Sequence, residues 1–325
     1  MSGGVVQLVA TGAQDAWLSG KPEVSFYRSS YKRYTHYASS VERQIIQGAP
    51  VAGGMSTVRF EKKGDLLSYT YITARDTTGA TVTTLNWQTV IDKIELVIGG
   101  QVIDTQDLLY MSNVEPVTGA MSLNQRLLPL PGSTAVPTNS TTGFLPLKFF
   151  FCKDWQSALP LVALQYHDIE LRITWASTLD ANSTLQYSVW SNFVYLDQAE
   201  REYFATKPQD MLITQVQRQY IPPAPQNMME MAFAHPVKFL AFTSNSYSTA
   251  YVRSATVAST LQFKTQVNGV DIGESKSLVH WCDAAQYYHT PYGYNPSSFT
   301  ANVAIIPFCL DTAKLQPTGT LNFSR

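Results

Sequence analysis

Apolar and polar positions alternate with a period of two along most of this chain. The clearest run is His167–Trp175. There Ile169, Leu171, Ile173 and Trp175 share one side, and Asp168, Glu170, Arg172 and Thr174 the other. Strict alternation puts one face of an extended segment in a core and the other in water or at an interface. The same pattern predicts strands at Thr57–Phe60, Ser68–Ala74, Lys93–Ile98, Gln101–Asp104, Gln186–Tyr195, Gln215–Tyr220, Val237–Thr243, Thr260–Val267 and Asn302–Phe308. All are rich in β-branched and aromatic residues. Gly99-Gly100 and Asn268-Gly269 supply the positive φ of two-residue hairpin turns. Loops rich in Pro, Ser, Thr and Gly fall at Thr77–Thr84, Leu128–Gly143, Pro222–Gln226 and Thr290–Ser298.

One helix is predicted, over Gln198–Ala205. Asp197 is placed to cap it by accepting from the backbone N–H of Glu200. Lys207-Pro208 stops it, because the residue before proline avoids the α region. Many short strands and few helices indicate an all-β sandwich or barrel.

The strands also repeat. IELVIGGQVID at 94–104 and LQFKTQVNGVDIG at 261–273 are each strand, turn, strand. LPLKFFFCKD and VAIIPFCLDTA are each an apolar strand followed by a Cys-containing edge. HDIELRITW and GTLNFSR then follow in the same order. Three matches in one order predict two tandem copies of one β-sandwich, with the helix as connector.

Composition limits the chemistry. The chain has 325 residues, enough for about two domains with cores of their own. Its 23 Lys+Arg and 24 Asp+Glu leave a net charge of −1, without the basic excess of a polyanion binder. The segment FYRSSYKRYTHY at 26–37 interleaves aromatics with Arg28, Lys32 and Arg33, and so could offer stacking platforms to nucleic acid. The competing reading, favoured by the sparse charge, is that the cationic stems cover neighbouring tyrosines at a packed surface. Three cysteines, Cys152, Cys282 and Cys309, are too few and too far apart for a disulfide framework. No run of about 18 apolar residues suggests a membrane span, and the first residues lack the pattern of a signal peptide.

Phosphate-loop, dinucleotide, nucleophile-elbow and HExxH motifs are absent from the sequence. His280-Trp281-Cys282 with His289 lacks the paired spacing of a zinc site and reads as a strand edge with a buried Cys. His167 and Asp168 are neighbours on a strand, so their side chains leave opposite faces. No catalytic residue, cofactor or metal ligand is assigned. Asn139, Asn182 and Asn322 each open an N-x-S/T triplet, a candidate N-glycosylation site if the chain meets that machinery.

Four blocks of the chain resemble the major capsid proteins of the nucleocytoplasmic large DNA viruses, especially those of algae and amoebae. They are GVVQLVATGAQDAWLSGKPEVSFYRSSYKRYTHYA at 4–38, LPLKFFFCKDWQSALPLVALQYHDIELRI at 145–173, LDQAEREYFATKPQDMLITQVQ at 196–217 and LQPTGTLNFSR at 315–325. They occur in family order and span essentially the whole chain. The resemblance implies two tandem eight-stranded jelly rolls, a double jelly roll. It divides the chain into an arm at 1–24, a first jelly roll with the connector helix at 25–205 and a second jelly roll at 206–325.

The resemblance further implies a structural, non-enzymatic subunit of the virion shell, assembled in the host cytoplasm. Such subunits form homotrimers with a pseudo-hexagonal outline that meet neighbouring capsomers, minor capsid proteins and penton proteins. An internal membrane lies nearby without being spanned and separates the shell from the genome, so no direct nucleic-acid contact is expected. The segment 26–37 then leads into the first strand near the inner base of the shell, its tyrosines anchoring the arm and adjoining subunits. Leu8, Val9, Trp17 and Leu18 are the expected inner-face contacts. The second jelly roll is expected to be truncated. About seventeen residues follow its IPF strand, against about fifty after FFF in the first, so about two strands past Arg325 would be needed to cover Val237, Phe239, Ala241, Ile305 and Phe308. A carbohydrate- or receptor-binding β-sandwich, lectin- or fibre-like, is the alternative; it accounts for the aromatics but not for the ordered blocks. A β-sandwich hydrolase is disfavoured by the missing motifs.

Overall fold

A computed structural model of the chain describes residues 3–80, 82, 85, 87–120, 143–179, 184–220, 228–243, 262–291 and 303–323. The fold has two compact units, Met1–His36 and Tyr37–Arg325. In the first, two seven-residue helices, Gly3–Val9 and Ala13–Ser19, bury no residue. Helices this short are marginal unless something packs on them.

The second unit opens with strand β1 (Tyr37–Gln44). A sandwich follows, of two five-stranded sheets. One sheet orders β1, β10 (Gln186–Leu196), β4 (Leu66–Arg75) and β7 (Phe144–Pro146), with the two-residue β8 (Leu159–Pro160) also on β4. The other orders β2 (Ile46–Gln47), β3 (Met55–Arg59), β9 (Ile169–Trp175), β5 (Ile91–Ile98) and β6 (Gln101–Asp107). All the pairings are antiparallel, and eight of these ten strands are longer than two residues.

The alternation predicted for the HDIELRITW segment appears as burial. In β9, Ile169, Leu171, Ile173 and Trp175 are buried, while Glu170, Arg172 and Thr174 are half-buried. Leu67 and Ile72 of β4 and Val189 and Phe193 of β10 face them across one core. Trp175 keeps its polar handle satisfied there, donating Nε1–H to Ser56 Oγ at 2.7 Å. Between the strands of the other sheet, Thr70 and Ser191 hydroxyls pair at 3.1 Å.

Both predicted hairpins form. Gly99 and Gly100 have φ of 59° and 84° between β5 and β6. Asn268 and Gly269 have φ of 51° and 78° between β13 (Gln262–Val267) and β14 (Val270–Ser277).

The second half repeats the pairings of the first in the same chain order. β3 pairs with β9, and β11 (Pro236–Val237) with β16 (Leu321–Asn322). β4 pairs with β7, and β12 (Phe239–Thr243) with β15 (Val303–Pro307). The β5–β6 hairpin corresponds to β13–β14. After each hairpin the chain turns helical: a π-helical turn Tyr110–Val114 runs into helix Glu115–Thr118, and helices Leu278–Cys282 and Ala284–His289 follow β14.

The halves share a core. Val114 and Val117 of the first pack on Val303 and Ile305 of the second. Thr312 Oγ1 donates to the Thr118 carbonyl at 2.9 Å. Ile305 is thus fully covered, while Val237, Phe239, Ala241 and Phe308 are half-buried.

Several expectations are corrected. Residues 215–220 form no strand. Gln215 Nε2 instead donates to the Ile103 carbonyl at 2.6 Å and Val216 N–H to Asp104 Oδ1 at 2.9 Å, so the segment is held to β6 partly by side chains. The expected strand 237–243 breaks at Lys238 into β11 and β12. The expected strand at Phe149–Phe151 is largely a helix, Phe150–Lys153. His280–Cys282 is helical rather than a strand edge, though Cys282 is buried as expected. The connector helix is Gln198–Thr206, and Asp197 caps it, its Oδ1 accepting from Gln198 N–H at 2.7 Å. The loop calls at Leu128–Gly143, Pro222–Gln226 and Thr290–Ser298 lie wholly or mostly outside the described residues.

Candidate assembly surfaces

The arm gathers the largest exposed apolar side chains of the chain's start. Leu8, Val9, Trp17 and Leu18 are 80–89% exposed. In the segment leading into β1, Phe26, Tyr27, Tyr31 and Tyr34 are 84–103% exposed. The cationic stems of Arg28, Lys32 and Arg33 therefore do not cover these rings. Adjacent side chains on an irregular, extended backbone diverge, and a covering surface has to come from elsewhere. Together these rings form an apolar surface open to solvent.

The floor of the first sandwich is tied to the connector helix by Asp65. This buried carboxylate accepts from Arg201 Nε at 2.9 Å, Arg201 Nη2 at 3.0 Å and Leu196 N–H at 2.8 Å. Its own carbonyl accepts from Leu161 and Val162. Beside this anchor lies an apolar groove of about 530 Å³, lined by Ile98, Ile103, Phe150, Leu164, Phe204 and Ile213 among others.

A buried polar cluster sits where the two halves meet. Glu115 accepts from Tyr110 Oη at 2.5 Å and pairs with Lys153 at 3.2 Å. Burial first, and the Glu115 charge second, hold the Tyr110 hydroxyl well above its ordinary range. Burial likewise raises the Asp104 carboxyl, although Val216 N–H and Gln106 donate to it, and lowers the Lys148 ammonium. Cys152 is pushed up to about 12 by burial. Most of these polar groups are paired, as at a structural junction, while Gln106 Oε1 is buried without a partner among the described residues.

The remaining candidates do not converge on a reaction centre. Asp168 pairs with Arg59 at 2.7 Å, and His167 packs beside Gly99. His289 Nδ1 bonds the Cys309 carbonyl at 2.9 Å. Among the described residues no three His, Cys, Asp or Glu are grouped to hold a metal ion, and no helix is long and apolar enough to cross a membrane. Asn322 is exposed on β16; Asn139 and Asn182 lie outside the described residues. The Asp65–Arg201 anchor and the groove were not anticipated. The Arg lies one turn into the predicted helix, but its partner is 136 residues away.

Comparison with known proteins supplies the family. Residues 25–197 match the family described as major capsid protein N-terminus, and residues 200–325 match large eukaryotic DNA virus major capsid protein. The chain is 30% identical to the major capsid protein of Paramecium bursaria Chlorella virus 1, covering 100% of itself and 85% of that protein. It is 29% identical to the major capsid protein of Pyramimonas orientalis virus, covering 90% of that one. Among solved structures, it superposes on a chain of the PBCV-1 virus capsid with a TM-score of 0.72 and 25% identity, over 93% of this chain and 84% of that one. The Faustovirus major capsid protein shares the fold, with a TM-score of 0.60 over 97% of this chain and 89% of that one, at 11% identity. The chain therefore belongs to the major capsid protein family of the large eukaryotic DNA viruses, structural proteins of the virion shell built as an all-β double jelly roll.

Proposed function

We propose that three copies of this chain associate into a capsomer with a pseudo-hexagonal outline, and that these capsomers tile an icosahedral shell. The observation that carries this reading is the repeat of strand pairings, β3·β9, β4·β7 and β5·β6 in the first half and β11·β16, β12·β15 and β13·β14 in the second. Two like sandwiches side by side, taken three times, present six similar faces to their neighbours. In this reading residues 1–24 form an arm, 25–205 the first jelly roll with its connector, and 206–325 the second.

The arm contacts neighbouring capsomers, minor capsid proteins or penton proteins on the inner face through Leu8, Val9, Trp17 and Leu18. Its exposure of all four supports an interfacial role. The subunit is structural rather than catalytic. Assembly takes place in the host cytoplasm, with an internal membrane inside the shell and no direct contact with nucleic acid. Asn322, and Asn139 and Asn182, are candidate glycan acceptors.

Light scattering on the purified full-length chain tests the central claim. A permanent trimer should persist at micromolar concentration and bury more than about 2,000 Å² in total. A monomer of 36.1 kDa under those conditions would count against it.

A further inference from the structure

The segment that leads into β1 differs in charge from the body it joins. Lys21, Arg28, Lys32 and Arg33 are exposed, and none pairs with a carboxylate among the described residues. In the body, Arg59, Lys93 and Arg201 each meet one. Residues 3–36 set those four cations against Asp15 and Glu23, a net charge of +2. The whole chain carries −1, which leaves −3 for the rest. Rings stand between the cations. Phe26, Tyr27, Tyr31 and Tyr34 are 84–103% exposed, on a stretch, 21–36, that is neither helix nor strand.

Three kinds of partner could take such a segment, and the observations separate them. A single nucleic-acid strand uses rings and cations, but it is held in a basic groove that tracks its backbone. Here the rest of the chain is net negative. Val5, Val6 and Val24, 50–67% exposed, also give a base nothing to stack on. A protein partner selects side chains held together on one shaped surface. Residues 21–36 have no regular structure to fix such a face. A lipid interface needs neither groove nor register. Aromatic rings settle at the headgroup level, aliphatic chains enter the acyl boundary, and Lys and Arg are drawn to anionic headgroups. Among the described residues no helix is long and apolar enough to span a membrane, so the contact lies along the surface.

We infer that residues 21–34 are a peripheral anchor for a lipid surface bearing anionic headgroups. Phe26, Tyr27, Tyr31 and Tyr34 enter the interface, and Arg28, Lys32 and Arg33 hold the headgroups. The protein contacts proposed for Leu8, Val9, Trp17 and Leu18 are independent of this and are read by particle counts.

Flotation of the full-length chain with lipid vesicles tests it. The protein should rise with phosphatidylcholine vesicles containing about one-third phosphatidylserine. Binding to pure phosphatidylcholine vesicles, or to the anionic ones in high salt, should be lower by more than about tenfold. Arg28→Gln, Lys32→Gln and Arg33→Gln combined should cause a loss of the same size, and Tyr27→Ser with Tyr31→Ser a further one. These positions are exposed and precede the body, and light scattering verifies that the oligomer is unchanged. A photo-crosslinking amino acid in place of Tyr31 should give lipid adducts in virions. Failure to float with anionic vesicles would overturn the inference, as would equal binding to neutral ones or an unchanged yield in the triple variant. So would displacement of the vesicles by a single-stranded oligonucleotide at lower concentration, or adducts confined to protein.

Discussion

Asp65 and Arg201, 136 residues apart, meet in a two-point ion pair at 2.9 and 3.0 Å that clamps the connector helix to the floor of the first sandwich. The carboxylate is buried and the guanidinium half exposed. The planar fork of Arg matches a carboxylate, which a Lys cannot reproduce. Asp65 also holds the Leu196 N–H at the end of β10, so one residue fixes both strand end and helix start.

Arg201→Ala should therefore destabilise the subunit by about 1–2 kcal/mol, since exposure of the Arg screens part of the pairing. Asp65→Ala should cost more, because it also orphans the Leu196 N–H. Arg201→Lys should recover only part of the loss. Denaturant midpoints of the three variants, measured under one buffer, decide this; equal midpoints would remove the clamp.

Trp175→Ala should be among the most damaging single changes, at about 3–5 kcal/mol. The ring is fully buried, packs 5.1 Å from Tyr187 and donates to Ser56. Ser56→Ala should cost about 1–3 kcal/mol by leaving the indole N–H unpaired. Chemical unfolding followed by Trp fluorescence and by far-ultraviolet dichroism measures both.

At the first hairpin, Gly99→Ala and Gly100→Ala should differ. Both positions have positive φ, which costs an L residue about 1 kcal/mol. At Gly99 the added Cβ would also stand 2.8 Å from His167 Nδ1, whereas at Gly100 nothing lies within 4 Å. Gly99→Ala should thus be the worse, and His167→Ala should relieve part of its cost. A double-mutant cycle with no coupling would refute that contact.

Cys152 should resist alkylation at pH 8 in the folded subunit and react on unfolding, because burial pushes its thiol up to about 12. The linkage has a definite sign. The unfolded thiol ionises near its ordinary value of 9.0, while the folded one stays protonated. The contribution to stability is full below about pH 9 and is lost as the pH rises from there towards 12. Cys152→Ser should flatten that alkaline slope; an unchanged slope would assign it to other groups.

Deleting residues 1–20 should leave capsomer size unchanged and impair shell assembly. The body's core lies within Tyr37–Arg325, and the arm buries none of its residues. Capsomer mass and particle counts by electron microscopy are the two readouts. Normal particles from the shortened chain would remove the arm from assembly.

Local pattern alone determined much of this molecule. β9 alternates along the chain as it does across the sheet, because the pleat has a period of two whatever its partners. The two hairpins follow from dipeptides that tolerate positive φ, and the connector helix from Asp197 and the proline at 208. The tandem repeat was visible as ordered segments, and its pairings follow from that order.

Tertiary structure decided what the pattern could not. Phe149, Phe150 and Phe151 are all buried, so they carry no alternation by which strand and helix could be told apart. Gln215 and Val216 align along β6 yet bond it partly through side chains, a choice set by the position of Asp104 rather than by β propensity. The cover over Val303 and Ile305 comes from Val114 and Val117, nearly two hundred residues earlier. Asp65 meets Arg201 only because the sandwich closes around a common core. Burial and long-range ion pairing depend on which surfaces meet in space, and a one-dimensional periodicity contains no term for that meeting.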